Sequence, residues 1–267
     1  MVTAGLVVAG CGGGPAADPT PLLDPIVTAG IPASRSTAAA APPVETTTST
    51  PPPVVIVLNP GHNGGNGGRP AEIARQVPAG AGRTKECDTT GTQTNAGYPE
   101  HAFTWDVSLR IRDVLAAKGV TVVMTRENDT GVGPCVDERA AIANRSDAAA
   151  VVSVHADGSE TAGANGFHVA YPLPALNDAQ GEPSLRLASL LRDGLSKAGF
   201  SPANYIGQNG LDGRSDLAGL NLSEKPSVFV ECGNMRDAAE AGVLGSEDGK
   251  QRYAVAIATA LLTYIGR

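Results

Sequence analysis

The chain carries only four histidines, so each can be weighed individually. His62 follows the turn Asn59-Pro60-Gly61, and His155 stands in Ser153-Val154-His155-Ala156-Asp157. Both fall just after apolar runs that read as strands. Glu100 follows Tyr98-Pro99 at the start of a helical pattern, where the first turn holds its backbone rigidly. Two imidazoles and one carboxylate make the protein donor set of a hydrolytic zinc site that keeps one position for water. Glu231 has a different setting, at the end of the apolar run Ser227 to Val230 and before Gly233-Asn234. A carboxylate there is partly desolvated, which favours its protonated form and suits it to proton transfer. A single histidine at a strand end is more often a plain polar residue. The two histidines together with the two glutamates point to chemistry.

The elements that must position these residues alternate in type. Val54 to Leu58 is a continuous apolar, β-branched run, a buried strand closed by Asn59-Pro60-Gly61. Gly64 to Gly97 is a long glycine-rich stretch read as a loop. Pro99 opens a helix as its first residue, with Phe103, Val107, Ile111, Val114 and Leu115 at helical spacing and Gly119 as the stop. Val120–Thr125, Ala149–Val154, Gly166–Tyr171 and Ser227–Glu231 read as strands. Asp137–Asn144, Ser184–Ala198 and Gly249–Ile265 read as helices. The alternation predicts a single α/β domain with a mostly parallel twisted sheet flanked by helices, and ligands gather beyond the carboxyl ends of such strands.

The 267 residues divide by composition. Met1–Cys11 is short, apolar and rich in small residues, and Val8-Ala9-Gly10-Cys11 resembles a bacterial lipobox. It implies export to the periplasm or cell envelope as a lipoprotein, with membrane anchoring through a lipidated Cys11. A plain secretion signal with an incidental cysteine is the alternative. Residues 12–53 are rich in Pro, Thr and Ala, a composition that cannot bury enough apolar surface to fold and reads as a flexible tether. Residues 54–267 then form the catalytic domain. Lys plus Arg is 20 against Asp plus Glu 27, with no basic tract, which excludes a nucleic-acid partner. Nothing in the pattern calls for more than a monomer. In an exported chain Cys87 and Cys135, both in polar stretches, are the natural disulfide pair, and closing that loop stabilises by about 4 kcal/mol in the chain-entropy model. Cys232 is left as a buried free thiol.

Further stretches make a family resemblance plain. Leu58-Asn59-Pro60-Gly61-His62, Tyr98-Pro99-Glu100-His101, Thr125-Arg126, Arg139 with Asn144, Ser153 to Asp157, and Val230-Glu231-Cys232-Gly233-Asn234-Met235 span nearly the whole folded part. In this order and spacing they resemble the zinc-dependent N-acetylmuramoyl-L-alanine amidases of the type-3 class, and within it the small members without a cell-wall-binding domain. The resemblance implies one Zn2+ on His62, Glu100 and His155, with Glu231 as the catalytic carboxylate, acting on peptidoglycan or muropeptides. Two rival functions stay open, an inactive peptidoglycan-binding relative and a zinc peptidase acting on the stem peptide. Asn59 stands where many members have Asp, so an amide replaces a carboxylate expected to orient the His62 ring. His101 is expected to be a non-ligand and His168 a structural residue. Arg126 and Arg139 are expected to brace loops and carboxylates. The segment Gly213 to Ala218 is a candidate cleft wall, with Arg214 holding a peptide carboxylate. The 64–97 loop, pinned by the disulfide, is a candidate lid.

Overall fold

The computed structural model describes residues 53–267 together with Gly30. The expected signal, lipidation and tether segments therefore lie outside the described residues, apart from Gly30 and Pro53. Among the described residues no helix is long and apolar enough to cross a membrane.

Among the described residues there are fifteen α-helices and strands. They are β1 (Val55–Pro60), α1 (Pro70–Ile73), β2 (Gln76–Gly80), β3 (Arg83–Glu86), α2 (Glu100–Ala116), β4 (Thr121–Met124), α3 (Val136–Asn144) and β5 (Ala148–Asp157). Then come β6 (His168–Pro172), α4 (Glu182–Lys197), β7 (Leu211–Arg214), α5 (Ala218–Asn221), β8 (Ser227–Asn234), α6 (Ala238–Gly245) and α7 (Glu247–Tyr264). Six strands form one sheet in the order β4-β1-β5-β8-β6-β7. The first four run parallel, and β6 turns antiparallel to β8 while pairing parallel with β7. The sheet is thus mixed, with a parallel majority.

Period-two alternation gives the sheet two unlike faces. Ile56, Leu58, Val152, Val154, Val169, Val228 and Val230 point to one face and are buried there. Against them pack Phe103, Val107, Ile111 and Leu115 of α2, Leu187, Leu191 and Leu195 of α4, and Tyr253, Ile257 and Leu261 of α7. Each set recurs every four residues, so each helix lays one stripe on the sheet. The other face carries Asn59, Ser153, His155, Phe229, Glu231 and His168 in the registers Asn59↔Ser153, Ser153↔Phe229, His155↔Glu231 and His168↔Glu231. Its cover is slight: α3, α5 and the β2–β3 hairpin, with a small cluster of Val57, Ala143, Ala148 and Val151.

Several expectations shift. Pro99 is the N-cap of α2, in extended conformation, and the helix starts one residue later at Glu100. The expected 64–97 loop holds a short helix and a two-stranded antiparallel hairpin whose turn passes through Gly80, Ala81 and Gly82, all at positive φ. Cys87 and Cys135 are bonded and tie the end of this hairpin to the start of α3. Cys232 is free and buried in the apolar face, on the opposite side of the sheet from Glu231.

Candidate metal centre

Each donor comes from a place where the backbone is pinned. His62 sits just past β1 at φ 59°, a left-handed conformation held by the surrounding turn. Arg139, buried on α3, donates to the carbonyls of Pro60 and His62 and to the Asn59 side chain, and Arg126 donates to the Pro60 carbonyl. His155 lies near the carboxyl end of β5, just before its parallel register with β8 shifts, and its ring is stacked on Phe229 at 3.8 Å between centroids and 17° between planes. Glu100, in the first turn of α2, lies over the carboxyl ends of β1 and β5. Its two oxygens accept from the backbone N–H groups of Ala156, at 3.2 Å, and Thr92, at 2.9 Å.

These three side chains converge. His155 Nδ1 is 2.9 Å from Glu100 Oε1, and His62 Nε2 is 3.3 Å from Glu100 Oε2. One donor atom from each lies within 4.8 Å of the other two. The neighbouring backbone leaves no room for a side chain at either glycine: a Cβ at Gly61 would come 2.1 Å from His155 Cε1, and one at Gly91 would come 2.7 Å from Glu100 Oε2. Borderline nitrogen donors, a carboxylate and a tight backbone cradle fit a divalent transition ion. Burial pulls the His62 pKa down, but the Glu100 and Asp88 carboxylates outweigh it and raise the ring to about 10. His62 must shed that proton to bind an ion, so metal affinity falls as pH falls. Burial pushes Glu100 up, yet the two histidines hold it well below the usual carboxylate range. Burial lowers His155 to about 4, which keeps that ring neutral and ready to ligate.

Glu231 lines the same recess of about 290 Å³ as His62, Glu100, His155, Asp157 and Phe229. Burial, reinforced by Glu100 and Asp157, pushes its pKa well above the carboxylate range. Its Oε2 is sealed from solvent without a hydrogen-bond partner.

The remaining sequence candidates separate clearly. His101 turns away and pairs with Asp129 at 2.9 Å. Arg214 lies on β7 with its guanidinium engaged by Asp212 and Asp216, outside the recess that holds the three donors. Asn59 does not orient His62. Its amide donates to Ser153 Oγ, and its oxygen accepts from Thr125 and Arg139. The carboxylate on His62 Nδ1 is Asp88, at 3.1 Å, and Asp88 also accepts from Arg139. Sequence reasoning missed Asp88, whose one signal was its place beside Cys87. It also missed Phe229, although alternation along Ser227–Glu231 puts it on the same side as Glu231. His168, expected to be structural, is on that side as well.

An α/β domain with two imidazoles and a carboxylate gathered at the carboxyl ends of parallel strands is a metal-dependent hydrolase by class. Residues 56–263 match the family model for N-acetylmuramoyl-L-alanine amidase, Amidase_3. The chain is 52% identical over 200 residues to an N-acetylmuramoyl-L-alanine amidase of Mycobacterium tuberculosis, covering 75% of this chain and 81% of that protein. The crystal structure of the N-acetylmuramyl-L-alanine amidase Ami1 from Mycobacterium smegmatis superposes with a TM-score of 0.77 at 51% identity, over 80% of this chain and 97% of that one. The apo form of Ami1 from Mycobacterium abscessus does so at 50% identity with the same TM-score, over 79% and 98%. This chain belongs to the Amidase_3 family of N-acetylmuramoyl-L-alanine amidases.

Proposed function

We propose that this protein hydrolyses the amide bond between the lactyl group of N-acetylmuramic acid and the L-alanine of the stem peptide, in peptidoglycan or muropeptides, with one zinc ion per chain. The observation that carries this reading is the convergence of His62, Glu100 and His155 beside a half-buried Glu231 in one recess. His62, Glu100 and His155 hold the ion, and Asp88 accepts from His62 Nδ1, which turns the Nε2 lone pair toward the donor cluster. When bound, zinc supplies Lewis acidity toward the scissile carbonyl and makes water nucleophilic near neutral pH. Glu231 takes the proton of the attacking water and later hands it to the L-alanine nitrogen as the C–N bond breaks. Its half-buried setting suits that task, because a raised pKa makes the carboxylate a stronger base toward water and lets the carboxyl keep the proton until the more basic L-alanine nitrogen departs.

A disulfide between Cys87 and Cys135 fits an oxidising compartment outside the cytoplasm. In this reading the enzyme is an exported monomer, with Cys11 lipidated as its anchor and Arg214 contacting the peptide.

The test is Glu231→Gln on zinc-loaded protein, with muropeptide products read by mass spectrometry. The variant should keep its zinc and lose about 10²- to 10⁴-fold in rate. Native rates in the variant would remove Glu231 from the chemistry. Cleavage inside the stem by the wild type would make the protein a peptidase, and a zinc-loaded wild type without turnover would make it an inactive relative.

A further inference from the structure

The arginines around the metal centre are mostly spoken for. Arg126 pairs with Asp129, Arg139 with Asp88, and Arg214 with Asp212 and Asp216. Arg236 differs. It comes just past the end of β8, with a pinned backbone: its N–H donates to Asn234 Oδ1 at 3.0 Å, and the Met235 N–H donates to the Asp157 carbonyl at 2.7 Å. Among the described residues its guanidinium has no carboxylate partner. Nη1 donates to Asn95 Oδ1 at a long 3.3 Å, Nε is sealed without a partner, and Nη2 has none either. A guanidinium carries five N–H donors in a planar fork, and here nearly all of that capacity is unused. Arg236 lines an open polar groove of about 670 Å³, which shares Gly91, Thr92, Asp157 and Gly158 with the recess of the metal donors and Glu231. The other charged groups of the groove are engaged. His101 pairs with Asp129, and Asp157 accepts from the Gly158 N–H on one oxygen and the Tyr205 hydroxyl on the other.

We infer that Arg236 is a specificity-determining residue that binds a free carboxylate of the stem peptide beyond L-alanine, as the peptide leaves the reaction centre along this groove. This inference rests on the amidase reading. The chemistry of the substrate decides which half carries the anion. The single carboxyl of N-acetylmuramic acid is the acyl half of the scissile amide and holds no charge. The hydroxyls and acetamide of the sugar are neutral as well. A carboxylate near the reaction centre therefore belongs to the peptide, whose acidic residues and C-terminus supply it. The planar fork of an arginine suits such a group, and the charge makes the bond stronger than one between neutral partners. Conversion of the carboxylate to a primary amide keeps its shape and removes its charge. Arg236 thus distinguishes stem peptides with free carboxyls from amidated ones.

The experiment gives the zinc-loaded full chain two N-acetylmuramoyl peptides, one with all stem carboxyls free and one with all of them as primary amides. Wild type should favour the free acid by about 10- to 100-fold in kcat/KM, mostly through KM, the scale of one hydrogen-bonded charge. Arg236→Gln should bring that ratio close to one, and Arg236→Lys should keep part of it. Asn95→Asp tests the same charge without touching the arginine. Asn95 is exposed, and a carboxylate there competes for Nη1, so the ratio should narrow. Arg214→Gln should leave the ratio as it is, since Asp212 and Asp216 already occupy that guanidinium. Calorimetric binding of the two peptides to Glu231→Gln should give the wild-type preference without turnover. A wild type indifferent to amidation, or a preference that survives Arg236→Gln or falls with Arg214→Gln, overturns the inference. Cleavage at a different bond sinks the amidase reading instead, and the acid-to-amide ratio at that bond still tests Arg236.

Discussion

The two faces of the one sheet solve opposite problems. On the face toward α2, α4 and α7, buried residues are almost all aliphatic or aromatic, and the contacts are stripes of leucine, valine and alanine. On the other face, Asn59, Ser153, His155, Glu231 and His168 replace them, and the cover is two short helices, a hairpin and a disulfide. Apolar burial of about 25 cal/mol per Å² accumulates on the first face without regard to direction. The second face is held by directed bonds: Arg139 alone reaches Asn59, Pro60, His62, Asp88, Gly133 and Pro134. A fold with one generous core can leave its other face polar, and the reactive groups occupy that face.

The comparison breaks most visibly at Arg139. Arg139→Met removes the hub and strands Asp88, so it should cost about 3–5 kcal/mol, the range for breaking a buried ion pair. Urea denaturation measures the loss, and zinc titration should show weaker binding, because Asp88 no longer holds His62 in place. Asp88 adds a pH dependence of known sign. Burial pushes its pKa up, but His62 and Arg139 bring it below the ordinary value. The stability this provides is present above the unfolded pKa of about 3.9 and is lost as pH falls through the lower folded value. Arg139→Met should flatten that acid limb. Next comes the Cys87–Cys135 crosslink, whose removal by paired serine substitution should cost about 4 kcal/mol for a loop of 48 residues. The loss should fall on the hairpin side of the sheet, so hydrogen exchange should quicken in β2, β3 and α3 before it does in α4 or α7. A uniform loss across both faces would remove the distinction drawn above.

The same division explains what was legible in the sequence. Stripes such as Phe103, Val107, Ile111 and Leu115 announce α2 because burial on the apolar face requires that spacing. The strands β1, β5 and β8 were visible for the same reason, and His62, His155 and Glu231 follow from them by position. The polar face leaves no periodic trace. The β2–β3 hairpin buries only Val77 and Ala79 from its first strand, too little alternation to mark a strand, and its second strand is wholly polar. The edge strand β7 contains Asp212, Gly213 and Arg214, which read as a loop. The partners of Asn59 depend on Ser153, Thr125 and Arg139, all far away in the chain. The carboxylate that orients His62 comes from a residue fixed by a disulfide.

The smallest expected effect gives the sharpest comparison, because it sets two neighbours of β8 against each other. Val228 points into the apolar face and Phe229 toward the metal centre, one residue apart on the same backbone. Val228→Ala removes two buried methyl groups and should cost about 2 kcal/mol from lost transfer energy and the cavity left behind. Zinc affinity should not change, since the Val228 side chain points away from the recess that holds the donors. Phe229→Leu keeps an apolar side chain but removes the ring on which His155 stacks, worth about 0.5–1.5 kcal/mol beyond its area. Its effect on stability should therefore be the smaller of the two. Its effect on zinc should be the larger, about 10-fold weaker binding, because the ring that holds the His155 plane is gone. Calorimetric melting and competitive zinc titration on both variants decide it. If Val228→Ala weakened zinc as much as Phe229→Leu, the two faces would be coupled through the strand, and the apolar core would be setting the geometry of the metal donors as well as the stability of the fold.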